Sequence, residues 1–140
     1  LIKSIGLLTK CFMEIQMKIL IDTHIFLWSI SNPKKMSTLK RKQIESLANT
    51  IYVSSISITE IMIKASIGKL KVDYNPVAIA EESGFELLDW KANDALILRD
   101  LPFHHKDPFD RMLISQSITN SIPIMTDDEK FEKYDCVLLG

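Results

Sequence analysis

Four carboxylic acids are the side chains of this 140-residue chain that could carry out chemistry: Asp22, Glu60, Asp110 and Asp128. Two carboxylates about 4 Å apart repel by roughly 4 kcal/mol at an effective dielectric near 20, so a group of four is tolerated only when protonated or bound to cations. Oxygen ligands favour Mg²⁺ or Mn²⁺ over zinc. Such ions activate a water and stabilise the leaving oxygen of a phosphodiester. If the fold gathers these acids, the sequence predicts a metal-dependent phosphodiesterase site.

An alternation of short apolar runs and helical patterns must position these acids. The apolar runs predict strands at 18–21, 51–54, 85–88, 122–125 and 136–139. Helix signals predict helices at 23–31, 38–49, 57–67, 76–83, 91–101 and 128–133, with another starting at Asp107-Pro108. This alternation predicts an α/β fold with a parallel sheet covered on both faces. Ligands bind beyond the carboxyl ends of strands in such sheets, where the acids are expected to meet.

Most of these acids also have a purely structural interpretation. Ser57 with Glu60 fits a capping box. Asp110 and Asp128 stand near helix starts, where a negative charge gains from the helix dipole. Asp22 ends an apolar strand away from any capping need, so a functional role is favoured for it. The joint placement of the acids, more than any one of them, supports a site.

Composition and charge are those of one globular domain, with 46% hydrophobic and 25% charged residues. The net charge is −1, yet setting aside the four site acids leaves 14 acidic residues against 17 basic ones, a balance of +3. The overall charge therefore does not exclude RNA as a partner. The two cysteines, Cys11 and Cys136, lack metal-ligand spacing and indicate reduced thiols of a cytoplasmic protein.

One basic cluster stands out in the first third of the chain. It consists of Lys34, Lys35, Lys40, Arg41 and Lys42, with no acid between them. Such a cluster could attract an RNA backbone through counterion release. A solvated helix face explains it equally well.

The first sixteen residues differ from the rest of the chain. Their longest uncharged stretch is too short for a signal peptide or a membrane span, and no other apolar run reaches membrane-spanning length. The regular pattern begins only at Met17. We therefore interpret 1–16 as an N-terminal extension translated from an upstream start, with Met17 or Met13 as the biological start, and 17–140 as the domain.

Four stretches resemble the motifs of PIN-domain nucleases, especially the VapC-like toxins of type II toxin–antitoxin pairs. They are KILIDTHIFLW at 18–28, VSSISITEIMIK at 53–64 with GKL at 68–70, HKDPFDRMLISQ at 105–116, and PIMTDDEKF at 123–131. The motifs occur in the family's order and run from about Lys18 to the C-terminus. Asp22, Glu60, Asp110 and Asp128 stand at the family's acidic positions.

The resemblance implies a three-layer α/β/α fold with a central parallel sheet of about five strands. It also implies Mg²⁺- or Mn²⁺-dependent cleavage of RNA, homodimerisation, and inhibition by a cognate antitoxin. We expect Asp22, Glu60 and Asp110 to hold the principal ion, and Asp128 to support a second ion or a water. Whether one or two ions act is left open, as are the RNA target and its sequence preference.

Two assignments have a neighbouring alternative. In the third motif the resemblance places Asp110 at the family's catalytic acid, and Asp107 is expected to be the helix N-cap. Asp127 is adjacent to Asp128 and could replace it. Two histidines in the preceding loop, His104 and His105, are assigned no role, because oxygen ligands already explain the chemistry.

Other functions compete with a toxin ribonuclease. A non-catalytic interaction module on the same fold is one, and a housekeeping or structure-specific nuclease is another. An aspartyl phosphoryl-transfer enzyme would need a second aspartate two residues after Asp22, where this chain has His24.

Overall fold

The computed structural model describes residues 16–136. The proposed N-terminal extension and the predicted last strand therefore lie outside the described residues, except for their positions 16 and 136. Within that part, four strands form one parallel sheet in the order β3-β2-β1-β4. They are β1 Lys18–Ile21, β2 Thr50–Ser54, β3 Glu86–Leu88 and β4 Ile124–Met125.

Six α-helices connect and flank these strands in the described part of the chain: α1 Thr23–Ser31, α2 Thr38–Glu45, α3 Ser55–Ser66, α4 Pro76–Glu82, α5 Ala92–Ala95 and α6 Pro108–Asn120. Short 3-10 turns cover 33–35, 96–99 and 129–131. The predicted helix at 91–101 is thus split into α5 and a 3-10 turn. No helix within 16–136 is long and apolar enough to cross a membrane.

Helix α2 ends earlier than the predicted 38–49. Its chain leaves the helical conformation at Ser46, after Glu45. Asn49 explains the stop, because its side-chain N–H donates to the carbonyl of Gln43 at 2.9 Å while its oxygen accepts from the backbone of Met17 at 3.1 Å. The side chain of Asn49 therefore terminates α2 and links its C-terminal end to the start of β1.

Two apolar clusters pack against opposite faces of the sheet. Successive side chains of a strand point to opposite faces, so Ile19 and Ile21 join one cluster, with Phe26 of α1. Leu20 joins the other, with Leu113 of α6. All five side chains are fully buried. The predicted α/β/α architecture is confirmed, with four described strands in place of about five.

The strand order creates a crevice at one end of the sheet. From β1 the chain moves outward through β2 to β3, and then returns to place β4 on the other side of β1. The order of strand addition reverses between β1 and β4. In parallel sheets, ligands bind beyond the carboxyl ends of the two strands that flank such a reversal. The first residues at that edge are Asp22 and Thr126.

Candidate active site

Asp22 is buried at the junction between β1 and α1, with 3% of its surface exposed. One carboxylate oxygen accepts from the backbone N–H of Ile25 at 2.8 Å, and the other accepts from the hydroxyl of Thr126 at 2.6 Å. Burial raises the pKa of this carboxyl. The expectation that Asp22 has no capping role is wrong: α1 starts directly after β1 without a loop, so the residue that ends the strand also caps the helix.

Glu60 lies in the middle of α3, because the helix begins at Ser55, not at Ser57, and is capped by Ser54. The capping-box interpretation of Glu60 is therefore wrong. Its buried carboxylate accepts from the hydroxyl of Thr23 at 2.8 Å and from the Lys64 ammonium at 2.6 Å. The hydrogen bond to Glu60 raises the pKa of Lys64.

Asp110 stands in the first turn of α6 without capping it. Asp107 is the N-cap, since its carboxylate accepts from the backbone N–H of Asp110 at 3.0 Å. The pKa of Asp110 is raised to about 8, first by burial and then by the negative charges of Asp107, Glu60, Asp22 and Asp128. The negative charges of the other three predicted acids thus all contribute to the raised pKa of Asp110.

The adjacent Asp127 and Asp128 point to different partners. Asp127 forms an ion pair with Lys40 of the basic cluster. One oxygen of Asp128 lies 2.8 Å from Nε2 of His105, and the other accepts from the backbone N–H of Lys130 at 2.9 Å. Partial burial acts to raise the pKa of Asp128, but these two hydrogen bonds and the electrostatic influence of His105 and Lys130 together outweigh it, and the pKa is lowered. Asp128 is therefore the one of the pair that faces the site.

Two threonines connect the acids to one another. Thr126 donates its hydroxyl to Asp22 and accepts from the backbone N–H of Asp128 at 3.0 Å, so it both orients a carboxylate and caps a turn. Thr23, next to Asp22, donates to Glu60. These hydroxyls restrict the rotation of both carboxylates without adding charge.

His105 is the residue of this site that the sequence analysis did not identify. It is buried, with 4% of its surface exposed, and its Nε2 lies 3.0 Å from Asp110 and 2.8 Å from Asp128. Within residues 16–136, these three side chains are the group whose ligand atoms all lie within 4.8 Å of one another. Asp22 and Glu60 influence Asp110 electrostatically but do not join this compact group. The residues next to His105 in the sequence do not indicate that its side chain is buried, so its place in the site could not be predicted from local patterns.

The arrangement fits a divalent cation. Ionising Asp110 and Asp22 is unfavourable in the protein alone, because both are buried and Asp110 is surrounded by negative charge. A cation among these oxygens would remove that penalty. Carboxylate oxygens without thiolates suit Mg²⁺ or Mn²⁺. The side chains present are therefore chemically suited to either ion.

Comparisons with known proteins identify a family and a fold. The family model described as "PIN domain" matches residues 19–136. VapBC2 from Rickettsia felis, solved bound to a DNA fragment from its promoter, is similar with a TM-score of 0.66 and 20% identity over 89% of this chain and 98% of that one. DNA-bound VapBC from Salmonella typhimurium is similar with a TM-score of 0.63 and 19% identity over 89% and 97%. No curated protein matches the sequence significantly.

Proposed function

Because this chain belongs to the PIN domain family, we propose that it is a Mg²⁺- or Mn²⁺-dependent endoribonuclease that hydrolyses RNA phosphodiester bonds. The observation that carries the proposal is the position of Asp110, whose pKa is raised to about 8 by burial and by surrounding acids at the carboxyl edge of the sheet. Acids buried this close together oppose folding when they are ionised, and such a cost is expected where carboxylates serve to bind a cation.

The acids have separate parts in the proposed mechanism. Asp22, Glu60 and Asp110 would hold the principal ion, and Asp128 would support a second ion or a water. When bound, the metal would polarise the attacking water and offset the charge that develops on the phosphate. Thr126 holds one oxygen of Asp22 in place. The Lys64 ammonium remains beside Glu60 and reduces the net negative charge that the RNA backbone meets.

The surroundings of the site offer places for a polyanion. A cavity of about 400 Å³ borders Asp110 and is also lined by Phe103, His104, Lys106 and Lys130. Lysines beside an acidic centre allow a phosphate backbone to approach it despite the carboxylates. Lys40 of the basic cluster forms an ion pair with Asp127, the neighbour of Asp128 in the chain. These contacts support RNA, rather than a small neutral molecule, as the substrate.

The proposed activity predicts RNA cleavage that requires Mn²⁺ or Mg²⁺ and stops in EDTA. Asp22→Asn should abolish the cleavage, because it removes a buried ligand charge while keeping the shape of the side chain. Gel analysis of a mixed RNA substrate measures both effects. Asp100→Asn is the matched control, since Asp100 is exposed and forms a surface ion pair with Arg99, and it should cleave like the unaltered protein.

Two outcomes of this assay would argue against the proposal. Equal cleavage by the Asp22→Asn variant would assign the activity to a contaminant. A lack of cleavage by protein that binds Mn²⁺ would favour a non-catalytic interaction module on the PIN fold.

We further propose that the chain is a VapC-like toxin of a type II toxin–antitoxin pair, acting in the cytoplasm as a homodimer held inactive by a cognate antitoxin. The support is the order of the four motifs along the chain and the shared fold with the two VapBC structures. Expression of the chain should then arrest growth, and co-expression of the adjacent gene should restore it. Colony counts after induction measure this. Normal growth at high protein levels would remove the toxin assignment and leave a housekeeping nuclease.

A further inference from the structure

Hydrogen bonds of the backbone and packing of the ring hold His105 in the site. Its backbone N–H donates to the hydroxyl of Tyr134 at 3.0 Å, and its carbonyl accepts from the buried guanidinium of Arg111 at 3.3 Å. Its ring packs edge-to-face against Phe131, with 5.3 Å between ring centroids. The imidazole therefore has little freedom to rotate, and its two nitrogens face defined partners.

Those partners determine which nitrogen carries the proton. Nδ1 accepts from the backbone N–H of Asp107 at 3.2 Å, so it carries no proton of its own. The proton of the neutral ring is then on Nε2, which lies 2.8 Å from Asp128 and 3.0 Å from Asp110. A nitrogen that carries a proton donates a hydrogen bond and has no lone pair for a metal. In this tautomer the Nε2–H donates a hydrogen bond to Asp128 and also lies against Asp110, and the nitrogen is not a metal ligand.

We propose that His105 is a positioning residue, whose Nε2–H connects Asp110 and Asp128 and holds their oxygens at the spacing that a divalent cation needs. The two acids come from different elements, since Asp110 belongs to α6 and Asp128 follows β4. When both are ionised their charges repel, and a shared donor between them opposes the separation. The inference rests on the proposed function, because it concerns the same metal site.

Two substitutions separate the roles of the ring nitrogens. In His105→Gln the amide nitrogen is the same number of bonds from Cβ as Nε2, so it can still donate to the two acids. In His105→Asn the amide reaches only as far as Nδ1 and cannot bridge them. We expect His105→Asn to weaken Mn²⁺ binding by about 10- to 100-fold, the usual effect of losing a residue that orients metal ligands, and His105→Gln to stay within a few-fold of the unaltered protein.

The measurement is calorimetric titration of Mn²⁺ into the protein without RNA, together with kcat and KM for cleavage and a melting curve of each variant. Asp100→Asn is the control, since its side chain is 75% exposed and forms a surface ion pair with Arg99. We expect the asparagine variant to lose kcat while KM for RNA is nearly unchanged. Unchanged Mn²⁺ affinity in a folded His105→Asn would overturn the inference. A His105→Gln variant as weak as His105→Asn would also overturn it, and would indicate a metal ligand instead.

A second readout does not depend on metal or activity. Nitrogen-15 NMR of the metal-free protein distinguishes the two neutral tautomers, and we expect the proton of His105 on Nε2. A proton on Nδ1 would contradict the assigned hydrogen bonds even if the protein cleaves RNA. Absence of Mn²⁺ binding by the unaltered protein would instead reject the proposed function, so the two failures are distinguishable.

Discussion

Asp110→Asn is expected to abolish metal-dependent RNA cleavage and, at the same time, to raise the melting temperature of the metal-free protein near pH 8. The variant keeps the size and hydrogen-bonding oxygen of the side chain but removes its charge. That charge is unfavourable in the metal-free protein because the group is buried among acids that include Glu60, Asp22 and Asp128. A residue that weakens the fold and yet occupies its crevice is best explained by a role in binding.

The stability gained by Asp110→Asn should increase as the pH rises. The pKa of Asp110 is about 8 in the folded protein and near the ordinary 3.8 in the unfolded chain. Between these values the folded state binds more protons than the unfolded state, so this group lowers stability progressively as pH rises from about 4 to about 8. The raised pKa of Asp22 acts in the same direction and remains in the variant. The advantage of Asp110→Asn should therefore be small near pH 5 and largest near pH 8.

Melting curves in EDTA at both pH values test this prediction, and the expected gain near pH 8 is on the order of a few degrees. Mn²⁺ should raise the melting temperature of the unaltered protein, because it binds only the folded state, and should raise that of the variant much less. Asp100→Asn serves as the control because its side chain is 75% exposed. A variant that melts below the unaltered protein near pH 8 would contradict the electrostatic explanation.

Arg111→Leu is expected to lower the free energy of unfolding by about 3–5 kcal/mol through the loss of several hydrogen bonds to carbonyls, a large share of the stability of a domain this size. Arg111 is buried, and its guanidinium faces the ring of Phe103 at 3.9 Å. It also donates to four backbone carbonyls, those of Leu98, Leu101, Pro102 and His105. Leucine would remove the donor from the carbonyls of Leu98, Leu101 and His105, whereas that of Pro102 would keep the hydroxyl of Tyr134.

Urea denaturation of both proteins measures the loss. Arg99→Leu is the matched control, since Arg99 is 87% exposed and forms a surface ion pair with Asp100, and it should change stability by less than about 1 kcal/mol. The same Arg111→Leu variant should also bind Mn²⁺ more weakly, because the loop that carries His105 loses its support. A variant within about 1 kcal/mol of the unaltered protein would show that the four hydrogen bonds are dispensable.

The sequence alone determined the architecture and the place of the acids along it. Apolar runs of strand length, alternating with capped helices, predict a parallel α/β sheet, and the structure confirms that fold. The cap at Asp107 was also predictable, because a cap depends on residues only two or three positions away. Asp22 and Asp128 were recognised as lying beyond strand ends, and the structure places both there.

Only the tertiary structure decided where each side chain points. Asp22 bonds to Thr126, 104 positions along the chain, and Asp127 pairs with Lys40, 87 positions away. The burial of His105 between two acids likewise depends on elements brought together by the fold. Local sequence patterns report conformational preference over a few residues, whereas hydrogen-bond partners and burial are set by segments that meet only when the sheet forms. That is why the strand ends were predictable from the sequence and the histidine between the carboxylates was not.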